Sequence, residues 1–515
     1  MGYQSNSKNE ILALNDARDW SREESASRKV LPSPAIVGGA ALKFPAVLRH
    51  ASDARDLSPA RSLGPGAPST EYIPFYGIDF KVGSTDAFET VGRKTPSTTT
   101  SIQAGKHDSI TGASKYDLAI ALQYGLGTGS KQLVEFLTEH IQLIHSPPYR
   151  DWQTILSAGN TSAFEIVLRM LGNKGEYLLV EKHTYTTVFE TGLPLGFKFA
   201  QVRMDKDGLL PEDLDHVLSN WDESARGGEK PRLLYTIPTG QNPTGITQPL
   251  ARRQEIYRVA QKHELFIVED DPYYFIQLPE FRPGGNLPAT TAPITSVEEY
   301  VITLVPSYLR LDTDGRVLRM DSFSKIVAPG ARMGWVTASK QVIERMIRAH
   351  EVSVQNPSGF SQIAVFKLLN DSWGHLGFVR WLVHLRGEYA KRRDTLLEAC
   401  DAFLPREIVS WVPPTAGFFN WISLDWAQHP EAGTKTKLQI EKEIFDATIE
   451  NGALVVPGSW FLPDEGSSGM DGVFFRMTYA AASMNDMQEA IQRLGAVLRS
   501  TFKLGHANGM SESRL

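Results

Sequence analysis

A lysine flanked by two serines follows a strand-like run of the sequence. The run VLRM ends at residue 320; Ser322, Ser324 and Lys325 come after it, and Arg332 stands seven positions beyond the lysine. A desolvated lysine amine readily forms a Schiff base with a carbonyl group, whereas a solvated lysine in a surface loop is the structural alternative. The two hydroxyl groups and the guanidinium offer donors to a phosphate. The segment therefore predicts a Schiff-base lysine beside a phosphate site.

Two further strings place polar side chains near strand-like runs. Asn242 lies in TGQNPTG, and Asp270 and Tyr273 lie in FIVEDDPYYF, 28 and 31 positions later. Taken singly, the first string is an ordinary tight turn and the tyrosine is a core aromatic residue. Together with Lys325 they indicate one site that contains an amine, a carboxylate, an amide and a phenol.

These strings resemble the fold type I enzymes that depend on pyridoxal 5′-phosphate (PLP). The match in residue type and spacing is to the branch of aromatic amino acid, 2-aminoadipate and kynurenine aminotransferases. The resemblance implies that Lys325 carries PLP as a Schiff base and that Asp270 keeps the pyridine nitrogen protonated, which makes the ring an electron sink. It also implies that Asn242 and Tyr273 donate to the cofactor's phenolate oxygen, and that Asn242 contacts the substrate.

A second anion site is indicated upstream, in ILSAGNTSAFEIVLRML. A strand there runs through a glycine into a helix expected to start near Ser162, and amides at a helix N-terminus bind anions. The family more often has Ser-Gln where this chain has Asn-Thr, a change that backbone donors tolerate. The residues expected to hold the PLP phosphate are Gly159, Asn160, Thr161, Ser322, Ser324 and Arg332.

Three more residues occupy positions that the family uses. The resemblance implies that Tyr185 stacks on the pyridine ring, although a core tyrosine is the alternative. Arg476, in FFRMTYAAAS, would bind the substrate α-carboxylate. Tyr124 matches a cofactor-binding tyrosine that reaches the neighbouring subunit's site in relatives, which implies a homodimer with shared active sites.

The N-terminal segment departs from the family at one position. Kynurenine and aminoadipate members have an arginine two residues after a Pro-Ser-Pro segment, and this chain has Ile36 there. An acidic substrate side chain loses one partner, so we expect aromatic or large apolar amino donors.

The pattern along the chain predicts an α/β fold, with a mostly parallel sheet sandwiched by helices and a smaller α+β domain. The predicted strands are TILSAG, EYLLVEK, FKFAQVRM, RLLYTIPT, LFIVEDD and VLRMDSF. We expect an arm and part of the small domain in residues 1–118, a large PLP-binding domain in 119–379, a small domain in 380–506 and a flexible tail in 507–515. Loops near 225–230 and 284–318 are longer than in the family, with no assigned function.

Composition excludes several classes of protein. A net charge of −6 and an isoelectric point near 6.1 give no basic surface for nucleic acid, and no apolar run is long enough to span a membrane. Cys400 is the only cysteine, so neither a disulfide nor a cysteine-rich metal site is expected. The first residues, MGYQSNSKNE, lack the basic-then-apolar order of a secretory signal, and Ser513-Arg514-Leu515 resembles a peroxisomal address, so we expect a cytoplasmic or peroxisomal protein.

The favoured function is ping-pong transamination between an aromatic L-amino acid and a 2-oxo acid, with 2-oxoglutarate implied by the resemblance. The same residues would also support β-elimination by a PLP lyase, for example at a carbon–sulfur bond. A ligand-sensing transcription regulator is a remote alternative, because the first 110 residues show neither the helices nor the charge of a DNA-binding module.

Overall fold

The computed structural model describes residues 66–83, 99–284, 294–463 and 469–504. Ile36 and the C-terminal tripeptide lie outside these ranges, so the predictions that depend on them, about acidic substrates and the peroxisome, stay predictions.

A seven-stranded sheet forms the centre of the larger unit. The strands in the described ranges are β1 Gly77–Gly83, β2 Thr99–Gly105, β3 Trp152–Ser157, β4 Tyr177–Glu181, β5 Lys198–Val202, β6 Met204–Asp205, β7 Gly208–Leu209, β8 Leu233–Thr236, β9 Phe266–Asp270, β10 Val317–Ser322, β11 Gly334–Ser339, β12 Val409–Trp411, β13 Phe419–Leu424, β14 Val456–Pro457 and β15 Val473–Thr478. The strand order in this sheet is β3-β11-β10-β9-β8-β4-β5. Six of its strands run in the same direction, and β11, which pairs antiparallel with both β3 and β10, runs opposite to them.

Helices cover the sheet, which is why β8, β9 and β10 are buried along their whole length. The α-helices are α1 Asp108–Thr111, α2 Leu118–Ala121, α3 Lys131–Ile144, α4 Asn160–Leu171, α5 Thr187–Gly192, α6 Pro211–Ser219, α7 Glu223–Arg226, α8 Leu250–Lys262, α9 Val297–Val301, α10 Tyr308–Leu311, α11 Lys340–Glu351, α12 Gly359–Phe366, α13 Gly374–Phe403, α14 Lys437–Glu450 and α15 Met484–Thr501. A π-helical stretch, Lys367–Trp373, precedes α13. None of the described helices is long and apolar enough to cross a membrane.

The predicted α/β class and all six predicted strands are confirmed. Strand β11 was not predicted; it follows the turn at Pro329 and Gly330 and inserts between β3 and β10. Because β4, β8, β9 and β10 run parallel, their carboxyl ends meet at one edge of the sheet. That edge carries the polar residues singled out in the sequence.

A four-stranded antiparallel sheet, in the order β12-β13-β15-β14, forms the smaller unit with α14 and α15. The predicted boundary between residues 379 and 380 falls inside helix α13, and the division into domains stays a prediction.

The segments near 225–230 and 284–318 pack against the seven-stranded sheet where the structure describes them. Helix α7 lies in the first loop, where the Arg226 guanidinium sits 4.3 Å from the centre of the Trp221 ring and the Tyr177 hydroxyl donates to the Arg226 carbonyl. In the second loop, the backbone N–H of Tyr308 donates to the buried Glu269 carboxylate over 2.9 Å. These contacts attach the loops to the sheet.

Candidate active site

A cavity of about 370 Å³ lies at the carboxyl edge of the parallel strands. Its lining residues come from the ends of these strands, from the start of α4 and from strands β13 and β15 of the smaller unit. Eleven of the thirteen predicted site residues line it, namely Asn160, Thr161, Tyr185, Asn242, Asp270, Tyr273, Ser322, Ser324, Lys325, Arg332 and Arg476.

Lys325 enters the cavity from the turn after β10. Its side chain is partly buried, and its Nζ lies 6.0 Å from the centre of the Phe418 ring. Burial lowers the pKa of the Lys325 amine, the positive charge of Arg332 lowers it further, and Asp270 opposes both effects. A larger fraction of this amine is therefore neutral, and able to act as nucleophile or base, than for a lysine in water.

Asp270 ends β9 and is buried at the base of the cavity. Its Oδ1 accepts a 2.6 Å hydrogen bond from the Asn160 side-chain amide, and its Oδ2 accepts a 2.5 Å hydrogen bond from the Tyr235 hydroxyl. Burial raises the pKa of the Asp270 carboxyl, while these two hydrogen bonds and the nearby Arg319 act in the opposite direction. The carboxylate is thus held in one orientation.

The start of α4 and Arg332 approach each other closely. Gly159 has φ +92°, and a Cβ at that position would lie 3.1 Å from Nη2 of Arg332. Any larger residue would be strained and would push the guanidinium away. The first turn of α4 receives no side-chain cap, so its backbone amides and Arg332 form one positive corner of the cavity. The Asn160 side chain is engaged by Asp270, so only the backbone of Asn160 belongs to this corner.

Arg476, on β15, lies on the small-domain side of the cavity. Its guanidinium carbon is 4.4 Å from the centre of the Phe419 ring and 4.9 Å from that of Phe461. Nη1 donates a 2.7 Å hydrogen bond to Oδ1 of Asn242, whereas the buried Nε has no hydrogen-bond partner among the described residues. The arginine is therefore positioned by two rings and one amide, with donor capacity left for a ligand.

Tyr273 and Tyr185 complete the aromatic lining. Tyr273 is buried, with its ring centre 5.3 Å from that of Phe418, and burial raises the pKa of its hydroxyl, which keeps it a hydrogen-bond donor. Tyr185 is half-buried before α5 and lines the same cavity.

Two predicted residues do not line the cavity. Gly159 acts through its backbone beside Arg332, as described above. Tyr124 is 64% exposed on the surface of the single chain. Within the described ranges, no group of histidine, cysteine, aspartate and glutamate side chains is arranged to hold a metal ion.

The sequence model of the aminotransferase class I and II family matches residues 112–494. The chain belongs to this family. It is 39% identical to an aromatic amino acid aminotransferase of Schizosaccharomyces pombe, over 93% of this chain and 97% of that protein. An L-tyrosine:2-oxoglutarate aminotransferase of Serpula lacrymans is 36% identical, over 78% of this chain and 77% of that protein. The crystal structure of the aminotransferase Aro8 from Candida albicans superposes with a TM-score of 0.81 at 35% identity, covering 94% of this chain and 98% of Aro8.

For this aminotransferase, sequence patterns missed part of the cavity wall. The cavity residues that were not predicted are Phe164, Thr187, Val188, Tyr235, Ile237, Pro272, Pro329 and Phe419. Most are apolar and resemble core residues in the sequence. Tyr235 carried one usable signal, because it stands at the carboxyl end of a predicted parallel strand, where ligands bind in open α/β sheets.

Proposed function

We propose that this chain transfers the amino group of an aromatic L-amino acid to a 2-oxo acid with PLP as cofactor. The observation that carries the proposal is one cavity bordered by the Lys325 amine, the buried Asp270 carboxylate and the Arg476 guanidinium. The names of the Schizosaccharomyces pombe and Serpula lacrymans relatives support an aromatic donor, and the second name supports 2-oxoglutarate as acceptor.

The cavity fits PLP in its chemistry. The space between Gly159 and Arg332 is one that a Cβ at position 159 would fill. This space suits a phosphate dianion, to which Thr161 and the hydroxyl groups of Ser322 and Ser324 would also donate. Asp270 would hold the protonated pyridine nitrogen, Asn242 and Tyr273 the phenolate oxygen, and Tyr185 the face of the ring. When bound, PLP supplies the electron sink that makes the substrate α-proton acidic.

Proton transfer is assigned to Lys325. With PLP bound, the Lys325 amine would hold the cofactor at rest and would be free once the amino donor has taken its place. Since burial and Arg332 lower its pKa, a larger fraction of the free amine is neutral and able to act as a base than for a lysine in water. Its Nζ would take the proton from the substrate α-carbon and deliver it to the C4′ carbon of the cofactor, two bonds away.

Substrate orientation is assigned to Arg476. Its unpartnered Nε and its remaining N–H groups can bind the α-carboxylate as a bidentate pair, while Asn242 fixes the plane of the guanidinium. Phe419 offers an aromatic face to an aromatic side chain. Amino donor and oxo acid bind in turn, so the same arginine serves both.

A homodimer is part of the proposal. Neighbouring segments expose large apolar side chains: the rings of Phe75 and Phe360 touch at 5.1 Å, and Asn356 donates to the Leu126 carbonyl beside Tyr124. Exposed apolar side chains that lie together are typical of interfaces, and a second copy of the chain would cover them. Sedimentation of the purified protein is expected to give twice the chain mass, and replacing Phe360 with aspartate is expected to give monomers.

The deciding experiment uses the purified protein with phenylalanine, tyrosine and tryptophan as donors and 2-oxoglutarate as acceptor. With donor alone, one equivalent of oxo acid per site is expected, followed by arrest until acceptor is added. Continuous release of ammonia without acceptor would instead show a lyase.

Lys325→Ala provides the matched test of the site assignment. The variant is expected to lose turnover by about 10²- to 10⁴-fold. Borohydride reduction followed by peptide mass analysis is expected to place PLP on Lys325 in the parent and nowhere in the variant. A covalent PLP label that persists in Lys325→Ala would refute the assignment.

A further inference from the structure

We propose that Asn160 and Tyr235 form a clamp on Asp270, and that this clamp keeps the proton shared by Asp270 and the PLP ring on the ring nitrogen. Both are positioning residues that act through Asp270. The inference rests on the proposed function, because it requires that Asp270 faces the pyridine nitrogen.

Three separate elements meet at this carboxylate. Asp270 ends β9, Tyr235 lies on the neighbouring strand β8, and Asn160 is the first residue of α4. Each carboxylate oxygen accepts one short hydrogen bond, of 2.6 Å from Asn160 and 2.5 Å from Tyr235. The carboxylate therefore cannot rotate without breaking a hydrogen bond to a neighbouring element.

Asn160 is committed to this arrangement. Its side-chain nitrogen donates one proton to Asp270 and the other to the Met320 carbonyl over 3.1 Å, so both donors are used within the protein. Its Oδ1 is buried and has no hydrogen-bond partner among the described residues. An unpaired buried acceptor costs free energy, so the orientation of the amide is set by the two hydrogen bonds that its nitrogen donates. The side chain thus serves the carboxylate rather than the phosphate corner.

Tyr235 is a permanent donor. It is 1% exposed, and its ring packs edge-on against Phe164 with centres 5.0 Å apart. Burial and the charge of Asp270 raise the pKa of its hydroxyl well above the ordinary value, so the proton stays on the tyrosine. The buried Tyr235 hydroxyl therefore donates its proton in a hydrogen bond to the Asp270 carboxylate.

The two donors affect where the shared proton resides. A carboxylate that accepts two hydrogen bonds is a weaker base than one that accepts none, so it competes less well for the proton of a pyridinium. Burial alone acts in the opposite direction and favours a neutral carboxyl beside a neutral ring. The clamp offsets burial, and the protonated ring is the form that stabilises negative charge at the substrate α-carbon.

The test compares Tyr235→Phe and Asn160→Ala with a matched control. Tyr257→Phe removes another buried tyrosine–carboxylate hydrogen bond, the 2.9 Å bond to Asp312, which does not line the cavity. Each protein is loaded with PLP labelled with ¹⁵N in the ring. The nitrogen chemical shift, the rate of PLP release on dilution and the thermal midpoint are then measured.

In both clamp variants the nitrogen signal is expected to move toward that of unprotonated pyridine, and PLP is expected to leave about tenfold faster. Tyr257→Phe is expected to lower the thermal midpoint and to leave the nitrogen signal in place. Clamp variants that lose thermal stability while their nitrogen signal stays at the parent position would overturn the inference. A parent protein that binds no PLP would refute the proposed function instead, so the two failures are distinguishable.

Discussion

The two sides of the cavity are held in place by different interactions. The large-domain wall is formed by Asn160, Tyr235, Asp270 and Lys325, and the small-domain wall by Phe419 and Arg476, with Phe461 packed against the arginine. On the large-domain wall, the carboxylate is hydrogen-bonded on both oxygens by its neighbours. On the small-domain wall, the arginine rests on ring faces and keeps Nε without a partner. The first arrangement suits a group that stays bound, and the second suits ligands that come and go.

The largest effect is expected from Asp270→Asn on the large-domain wall. The variant loses the charge that balances a protonated ring nitrogen, and kcat is expected to fall by about 10³-fold. The small-domain wall is untouched, so binding of the 2-oxo acid is expected to persist. Single-turnover rates and titration with 2-oxoglutarate measure the two quantities. A variant that retains more than a tenth of the parent rate would contradict the assignment of Asp270.

A smaller effect is expected from Arg476→Gln on the small-domain wall. The loss of a bidentate charged partner is expected to lower kcat/KM by about 100-fold, mainly through KM, with PLP retained. Arg332→Gln is the matched control, because it removes an arginine from the phosphate corner instead of from the substrate side. In this variant PLP is expected to leave faster, while the KM for the amino donor changes little at saturating PLP. Equal effects of the two substitutions on PLP retention would remove the distinction between the walls.

The ring contacts of Arg476 predict a still smaller effect. Phe461→Leu keeps an apolar side chain but removes one π face, which is expected to raise KM by about 2- to 30-fold. Phe445→Leu is the control, since Phe445 contacts Trp460 and not the arginine. If both variants have the parent KM, the rings serve only to fill space.

The sequence predicted the reactive groups of the site better than the residues that hold those groups in place. Lys325 was predicted because a lysine just past a buried strand is costly unless it is paired or derivatised, whereas the roles of Asp270 and Arg476 were implied by the resemblance to the family. Tyr235 was missed because a tyrosine in RLLYTIPT resembles a core residue, and its partner Asp270 lies 35 positions away on another strand. Phe461 was missed for a similar reason, since nothing local connects it with Arg476.

The α/β class was predictable from the alternation of strands and helices, and the aminotransferase fold from the resemblance to the family, whereas β11 was not predicted. The six residues of β11 come just after the segment that was interpreted as a phosphate-binding loop. The antiparallel insertion of β11 into the sheet depends on its pairing with β3, which lies far away in the sequence, so no local pattern indicates it.

The smallest effect on turnover is expected at Glu181, which supports the large-domain wall from behind. Glu181 is fully buried, and its carboxylate accepts hydrogen bonds from Gln241, Thr236 and Gln248. Gln241 precedes Asn242 in the turn that borders the cavity. The carboxylate therefore holds this turn in place through neutral donors, and it forms no ion pair with a cation among the described residues.

Burial raises the pKa of Glu181 from 4.5 to about 7. Because the folded protein holds this proton more tightly than the unfolded chain, the contribution to stability is complete below pH 4.5 and is lost as the pH rises through 7. The loss is on the order of 3 kcal/mol. Glu181→Gln cannot ionise, so its free energy of unfolding is expected to change less between pH 5 and pH 8 than that of the parent, as measured by denaturant titration at both values. Parallel pH profiles would show that Glu181 does not change its protonation state in the folded protein between pH 5 and pH 8, which would contradict a pKa near 7.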